Sequence, residues 1–303
     1  MRVLEARTDV RALVLPAPTE SELARELPGA DGVVMVMEQP ALTALLIDLA
    51  PRLHIACRFG AGYDNIDVDA LTRRGIPLAT TRDANADTVA EHALYLMLAL
   101  AKRGPTLDRA VKSGAWPRAF GGVELRGRTC LVVGYGRIGR AIARRAAAFD
   151  MKLVVVDPQV PGAARLEDSL PQADFVVLAC ALTPQTAGLI DAAALARMKR
   201  TAFLVNVARG AVVDQAALAA ALAEGRLAGA GLDVLETEPP RPDDALLRRD
   251  DVVLTPHVAS FVETAYERMA LACAQAALAG LDGRLEPGAL VNAEVLLRRS
   301  TGA

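Results

Sequence analysis

Three polar side chains in the second half of the chain each follow a strand-like apolar segment: Arg209, Glu238 and His257. Histidine has the side chain whose unperturbed pKa suits proton transfer near neutrality, and a guanidinium offers a fork of donors to carboxylate and carbonyl oxygens. Taken singly, each residue has an ordinary structural explanation: a surface ion pair for Arg209, a solvated loop acid for Glu238 and a hydrogen-bonded core histidine for His257. Because the carboxyl ends of parallel strands meet at one edge of a sheet, their joint placement predicts a site.

A glycine-rich turn precedes this trio in the chain. The strand-like segment 130–134 runs into Gly134, Gly136 and Gly139, with G-x-G-x-x-G spacing, and a helical stretch follows. Glycines at these positions allow a tight turn, a close approach to a pyrophosphate and close helix–strand packing. Asp157 ends the next strand-like segment, where a carboxylate can bind the adenine ribose hydroxyls and repel a 2′-phosphate. These features predict a dinucleotide site that prefers NAD to NADP; the alternative is a plain strand-to-helix turn followed by a turn at Asp157.

The elements that must position these residues are alternating strands and helices. Strand-like runs rich in Val, Ile and Leu occur at residues 10–15, 32–37, 53–57, 130–134, 153–157, 175–178, 203–207, 229–233 and 252–255. Apolar strands separated by helices are typical of parallel strands buried on both faces, which predicts a doubly wound α/β fold. Long helices at 88–102 and 265–281 are interpreted as crossings between two domains with separate sheets. A single continuous sheet is the alternative.

The composition limits the classes of function. The chain has 303 residues, 52% hydrophobic residues, 23% charged residues and a formal net charge of −2, which argues against a disordered chain and against a nucleic-acid binder. The absence of an apolar leader and of a run of about 18 apolar residues predicts a cytoplasmic protein without membrane contact. The cysteines and histidines are too scattered to predict a metal site or a disulfide framework: Cys57, Cys130, Cys180, Cys273, His54, His92 and His257.

These motifs together resemble the D-isomer-specific 2-hydroxyacid dehydrogenase family, in particular its phosphoglycerate dehydrogenases and hydroxypyruvate and glyoxylate reductases. The resemblance extends from about residue 10 to residue 292 and rests on the segments 59–67, 89–92, 134–139, 206–210, 232–239 and 255–257. It implies a Rossmann NAD domain at residues 99–279, a flavodoxin-like substrate domain at residues 1–98 and 280–303, and a cleft between them. Relatives usually begin with one further strand and helix, so the first βα unit of the substrate domain is expected to be missing.

The resemblance also implies roles for individual residues. His257 is the general acid and base, Glu238 fixes its tautomer, and Arg209 orients the substrate. The substrate carboxylate is expected on the backbone amides of Gly60, Ala61 and Gly62, and Arg58 is a candidate partner for a phosphate or a second carboxylate. Further candidates for lining the substrate pocket are Tyr63, Trp116, Phe120 and Phe261. The expected cofactor-binding residues are Thr88, Gly134, Gly136, Arg137, Ile138, Gly139, Asp157, Ala181, Val207 and Asp233, with Asp233 on the nicotinamide carboxamide.

The predicted activity is NAD-dependent interconversion of a small D-2-hydroxy acid and its 2-oxo acid. Glu238 favours this chemistry over formate oxidation, because the related formate enzymes carry glutamine there and formate needs no proton relay. Two alternatives stay open: an NAD(H)-sensing, corepressor-like binding protein on the same fold, and a phosphite dehydrogenase-like enzyme. A homodimer is expected through the helix at residues 93–102 and the segment around Trp116, and no regulatory domain is expected after residue 292.

Overall fold

The computed structural model describes residues 2–81, 83–118 and 121–301 and divides the chain into two compact units. The first unit is built from both ends of the chain, Met1–Asn85 and Val262–Ala303. The second unit is the continuous segment Ala86–Phe261.

Each unit contains its own parallel sheet. The strands are β1 (Gly32–Met35), β2 (Ile55–Arg58), β3 (Leu78–Thr80), β4 (Thr129–Val133), β5 (Lys152–Val156), β6 (Phe175–Leu178), β7 (Phe203–Asn206), β8 (Gly229–Leu232) and β9 (Val252–Leu254). The first sheet has the order β1-β2-β3, and the second has the order β5-β4-β6-β7-β8-β9. The predicted α/β class with two separate parallel sheets is therefore confirmed, and the alternative of one continuous sheet is wrong.

Helices connect the strands of both sheets. They are α1 (Arg2–Glu5), α2 (Glu20–Glu26), α3 (Ala44–Asp48), α4 (Val68–Arg73), α5 (Ala86–Ala101), α6 (Gly104–Lys112), α7 (Arg137–Ala147), α8 (Leu166–Ser169), α9 (Ala192–Arg197), α10 (Gln215–Ala223), α11 (Glu263–Leu281) and α12 (Glu294–Thr301). Short 3₁₀ turns occur at Leu27–Gly29, Leu170–Gln172, Gly210–Val212, Ala245–Arg248 and Pro287–Ala289.

The second sheet is buried on both of its faces. Cys130 and Val132 of β4 pack into a core formed with α5 and α7, whereas Leu131 and Val133 pack into a core formed with α9 and α10. This alternation explains the continuous apolar strands in the sequence, because each successive side chain enters a different core.

The boundaries between the units differ from those expected at 98/99 and 279/280. Helix α5 belongs wholly to the second unit, because side chains along its length, including Val89 and Met97, pack into that unit's core. Helix α11 belongs to the first unit, where Met269 and Cys273 pack with residues of β2 and β3. Each expected boundary would have cut a helix away from the core that it helps to form.

Residues 10–15 do not form the strand that their content of Val and Leu predicts. A strand requires a neighbour that satisfies its backbone N–H and C=O groups, and propensity alone does not supply one. In this described segment, the N–H of Val10 donates to the carbonyl of Arg7 at 3.2 Å. This bond closes a turn and does not pair two strands. The first sheet accordingly begins with β1.

Two kinds of feature are absent from the described ranges. Among these residues no helix combines the length and apolarity needed to cross a membrane. Within the same ranges no cluster of His, Cys, Asp or Glu could hold a metal ion.

Candidate active site

The glycine-rich turn leads from β4 into α7 with sterics that only glycine satisfies. Gly134 has a φ of +90°, and a Cβ on it would lie 2.6 Å from the backbone of Cys180. A Cβ on Gly139 would overlap the carbonyl oxygen of Gly134, so the helix can approach the strand only without a side chain there. These contacts confirm that the two glycines are required by packing.

Gly136 faces open space at the beginning of α7. A Cβ built on it meets no atom within 4 Å, and no side chain caps the helix that starts at Arg137. The N–H groups at a helix N-terminus attract phosphate oxygens, and Arg137, Ile138 and Gly139 supply the backbone of the first turn. The turn thus fits a dinucleotide pyrophosphate, as the sequence predicts.

Asp157 lies beside this turn, directly after β5. Its Oδ2 accepts a 2.6 Å hydrogen bond from the Tyr135 N–H, and its Oδ1 accepts one of 2.8 Å from the Gln159 N–H. The negative charge is therefore held next to the glycine turn by the backbone. A group placed there is available to ribose hydroxyls and repels an additional phosphate.

The remaining residues of the second unit share the same end of the sheet. Strands β4, β6, β7, β8 and β9 end in register, because Val133, Leu178, Asn206, Leu232 and Leu254 pair successively across the sheet. The loops after these strands carry Gly134, Ala181, Val207, Arg209, Asp233, Glu238 and His257. Thr88, also predicted to contact the cofactor, is buried in the first turn of α5.

Glu238 and His257 form a direct pair at this edge. Nδ1 of His257 lies 2.8 Å from Oε2 of Glu238, and the other carboxylate oxygen accepts a 2.9 Å hydrogen bond from the Leu235 N–H. Partial burial alone would raise the pKa of Glu238, but the hydrogen bonds from His257 and Leu235 and the charge of Arg209 lower it below its usual value. Because an ionised carboxylate only accepts, Nδ1 carries a hydrogen, and Nε2 is the ring nitrogen that could exchange a proton with another group.

His257 has a backbone φ of +54°, which is the left-handed region that non-glycine residues rarely occupy. Such a conformation costs about 1–3 kcal/mol and persists only when neighbouring groups hold it. Asp233 supplies these groups: its carbonyl accepts the His257 N–H at 2.7 Å, and its carboxylate accepts the N–H groups of Val258 at 3.0 Å and Ala259 at 2.9 Å. The carboxylate of Asp233 thus fixes the turn that presents His257.

Sequence reasoning missed this anchoring role of Asp233. The side chain is 1% exposed, and although burial would raise its pKa, hydrogen bonds from His92, Thr255 and the two backbone amides lower it. A carboxylate this well supplied with donors is stable as a buried anion. Its expected contact with the nicotinamide carboxamide stays a prediction.

Arg209 follows β7 in a turn held by Asn206. The Asn206 side chain accepts the Ala208 N–H at 3.0 Å and donates to the Arg209 carbonyl at 2.8 Å. A Cβ on Gly210 would overlap the Leu235 backbone, so this turn packs directly against the one that carries Glu238. The structure therefore brings Arg209, Glu238 and His257 into one region of the second unit. Asn206 shapes the turn of Arg209, and Gly210 allows that turn to pack against the turn of Glu238.

In the first unit, the structure gives Arg58 a different role from the expected one. Its side chain is 3% exposed, and its guanidinium donates to the carbonyls of Gly62 at 3.0 Å and Val36 at 2.7 Å and pairs with Glu38. A guanidinium that donates to carbonyls at the ends of β1 and β2 holds the loop 60–62 in place, and it is buried away from an external phosphate. The expectation that Arg58 binds a substrate anion is corrected on this ground.

Other expected substrate contacts are placed as follows. Gly60 donates its N–H to Thr81 Oγ1 at 2.7 Å, so this amide serves the loop itself. Ala61 and Gly62 stay the predicted carboxylate donors. Trp116 and Phe261 are 74% and 65% exposed, whereas Phe120 lies outside the described residues.

Comparisons with known proteins also indicate a dinucleotide-binding enzyme. Residues 94–259 match the family model described as D-isomer specific 2-hydroxyacid dehydrogenase, NAD binding domain. The chain is 41% identical to a glyoxylate reductase of Korarchaeum cryptofilum, over 94% of this chain and 90% of that one. It is 39% identical to a D-3-phosphoglycerate dehydrogenase of Mycobacterium tuberculosis, over 92% of this chain but 55% of that one.

A solved structure adds a cofactor to the comparison. A D-lactate dehydrogenase from Aquifex aeolicus, complexed with NAD and lactic acid, is 29% identical and superimposes with a TM-score of 0.83. The alignment covers 89% of this chain and 89% of that one. The family model and this neighbour identify NAD(H) as the cofactor of the present chain.

The Asp157 carboxylate is expected to decide the choice between NADH and NADPH. In Asp157→Asn the side chain keeps an acceptor for the Tyr135 N–H but loses the charge that repels a 2′-phosphate, so NADPH should bind more tightly and NADH slightly less tightly. Fluorescence titration of both cofactors measures this ratio. An unchanged ratio would contradict the assignment of Asp157 to the ribose site, and Asp168→Asn, an exposed acid on α8, is the matched control.

Proposed function

Because the chain belongs to the D-isomer-specific 2-hydroxyacid dehydrogenase family and is an NAD-dependent 2-hydroxyacid dehydrogenase, we propose that it interconverts a small D-2-hydroxy acid and its 2-oxo acid with His257 as the acid and base. The observation that carries this proposal is the 2.8 Å pair of His257 and Glu238, next to Arg209 at the carboxyl edge of a dinucleotide-binding sheet. The bound cofactor supplies the hydride donor and acceptor.

The side chains of the chain would divide the remaining work. In the reductive direction, Nε2 of His257 donates a proton to the carbonyl oxygen of the 2-oxo acid, and in the oxidative direction it removes the hydroxyl proton. Glu238 keeps Nδ1 protonated and stabilises the imidazolium. The guanidinium of Arg209 binds the substrate carboxylate and polarises the carbonyl oxygen, where negative charge develops.

For the substrate, we propose glyoxylate or hydroxypyruvate. The glyoxylate reductase relative covers nearly the whole chain, which supports a small substrate. The buried Arg58 pairs with Glu38, so its charge is not directed at a phosphate. The amides of Ala61 and Gly62 suffice for a single carboxylate. A phosphorylated 2-oxo acid would need a cation from elsewhere.

The substrate proposal is tested by NADH oxidation with a panel of 2-oxo acids. We expect kcat/KM to be highest for glyoxylate or hydroxypyruvate and lower for pyruvate, phenylpyruvate and 3-phosphohydroxypyruvate. Turnover also distinguishes this enzyme from an NAD(H)-sensing binding protein, and an arm with phosphite and NAD tests the phosphite alternative.

His257→Ala should reduce kcat about 100- to 10,000-fold while the Kd for NADH is unchanged. Full turnover in that variant would remove His257 from its role.

Glu238→Gln tests the electrostatic part of the mechanism. Reduction needs the protonated imidazole, and the carboxylate favours that form, whereas the neutral amide does not. The rate of reduction should therefore begin to fall at a lower pH in the variant than in the wild type. A pH profile of kcat/KM with saturating NADH measures the shift. Superimposable profiles would show that Glu238 does not act through its charge.

A homodimer through the α5 face is also proposed. A groove of about 980 Å³ lies on the outside of the second unit, and its apolar lining includes Tyr95, Leu98 and Phe149. Charges of both signs surround it: Glu91, Lys102, Asp108 and Arg145. Exposed apolar surface rimmed by both charge types suits self-association about a two-fold axis, because each copy offers the complement of the other.

Light scattering coupled to gel filtration tests this interface. The wild type should elute as a dimer, and Phe149→Glu should shift it to the monomer because a buried charge in the groove is unfavourable. Leu45→Glu, which alters an exposed leucine of α3 in the first unit, is the control and should stay dimeric. A wild type that is monomeric at all concentrations would refute the dimer.

We further propose the cytoplasm as the location of the protein. All four cysteines are free; Cys57, Cys130 and Cys273 are buried and Cys180 is partly buried. Burial raises the pKa of the Cys180 thiol to about 11, so it stays protonated near neutral pH. Free thiols of this kind are typical of proteins in the reducing cytoplasm, and they support the proposed location.

A further inference from the structure

His92, which the mechanism above does not use, lies at one end of a chain of hydrogen bonds that leads to the catalytic turn. It is on α5, and its Nε2 is 2.9 Å from Oγ1 of Thr255. That hydroxyl lies 2.6 Å from Oδ1 of Asp233, and Nε2 of His92 is itself 3.4 Å from the same carboxylate oxygen.

The direction of these bonds follows from the chemistry of their members. The Asp233 carboxylate can only accept, so Thr255 must spend its single hydroxyl hydrogen on it. The oxygen of Thr255 is then an acceptor toward His92, and Nε2 of His92 must carry a hydrogen. The shorter route is therefore His92 to Thr255 to Asp233, and the same Nε2–H of His92 also lies 3.4 Å from Oδ1 of Asp233.

The end of this chain is the group that holds His257. The same Oδ1 that receives the Thr255 hydroxyl also accepts the Val258 N–H, at 3.0 Å, immediately after the catalytic histidine. Without His92, the Thr255 oxygen would lose the hydrogen bond that it accepts, and the buried carboxylate would lose support on Oδ1. Networks of this kind are stabilised beyond single bonds, and loss of one member affects the rest.

His92 is well placed to transmit a fixed position. Its neighbours on α5, Val89, Ala93 and Met97, are buried in the core of the second unit, whereas the His92 side chain is 17% exposed. Its ring also contacts Tyr95 with a centroid separation of 5.5 Å. The helix therefore offers a rigid support from which a single donor reaches the loop after β9.

We propose that His92 is a positioning residue that acts through Thr255 and Asp233 to hold the strained turn of His257 in its reactive orientation. The inference rests on the proposed role of His257. It assigns His92 neither contact with the substrate nor a proton-transfer step.

Substitutions at position 92 test the need for a donor at the place of Nε2. His92→Ala should lower kcat about fivefold to tenfold, with the Kd for NADH and the KM for the 2-oxo acid nearly unchanged. Glutamine can place its amide nitrogen where Nε2 lies, so His92→Gln should recover most of kcat. The shorter His92→Asn should not. His54→Ala, an exposed histidine of the first unit, is the control and should keep the wild-type kcat.

A double-mutant cycle tests whether His92 acts through Thr255. Thr255→Val removes the hydroxyl but keeps the shape of the side chain, and should itself lower kcat. In that background, His92→Ala should lower kcat by a smaller factor than in the wild type, because the hydrogen bond through Thr255 is already broken and only the 3.4 Å contact of Nε2 with Asp233 Oδ1 remains. If the double variant lowers kcat by the product of the two single effects, the proposed route through Thr255 is wrong.

The outcomes separate this inference from the proposed function. Wild-type kcat in His92→Ala, or equal kcat in the Gln and Asn variants, overturns the positioning role even if His257→Ala is inactive. If His92→Ala does not fold, the difference in kcat between His92→Gln and His92→Asn still tests the positioning role. Full activity of His257→Ala would instead overturn the proposed function, whatever the variants at position 92 show.

Discussion

The carboxylate of Asp233 is the group that fixes the turn of His257 at the carboxyl edge of the second sheet. It lies buried at the end of β8, and a buried charge is tolerated only where donors replace water. Those donors are the Thr255 hydroxyl and the amides of Val258 and Ala259, so satisfying the charge and shaping the turn are the same event. The left-handed backbone of His257 persists because the N–H groups of the two residues that follow it are bonded to this one side chain.

The parallel sheet converts distant sequence positions into neighbours. The strands β4, β6, β7, β8 and β9 end in register, so the loops that follow them start from one edge. Small residues then allow these loops to touch. Gly210 packs against the Leu235 backbone and joins the turn of Arg209 to that of Glu238, and Gly134 packs against Cys180 beside the dinucleotide turn. A side chain at either glycine would force apart the groups that must act together.

In the first unit, a charged side chain serves the fold in a way that bears on specificity. Arg58 is buried among carbonyls of its own loops and neutralised by Glu38, and Thr81 holds the Gly60 amide. The loop 60–62 is thus preorganised by internal bonds. A buried cation that is paired internally does not attract a second anionic group, and this supports the proposal of a monocarboxylate substrate.

The local and periodic features of the chain could be predicted from its amino-acid order alone. The apolar runs with intervening helices specified two parallel sheets, the glycine spacing specified the turn before α7, and the residues after successive strands identified Arg209, Glu238 and His257. Such features depend on backbone sterics and on burial of neighbouring residues, which short segments encode. Other features became visible only in the folded chain. Residues 10–15 have no strand partner, and α5 and α11 belong to cores other than the expected ones. Arg58 is buried, and His92 reaches Asp233 through Thr255. Each of these depends on which groups from distant parts of the chain satisfy a given donor, acceptor or apolar face, and that pairing exists only once the whole unit has folded.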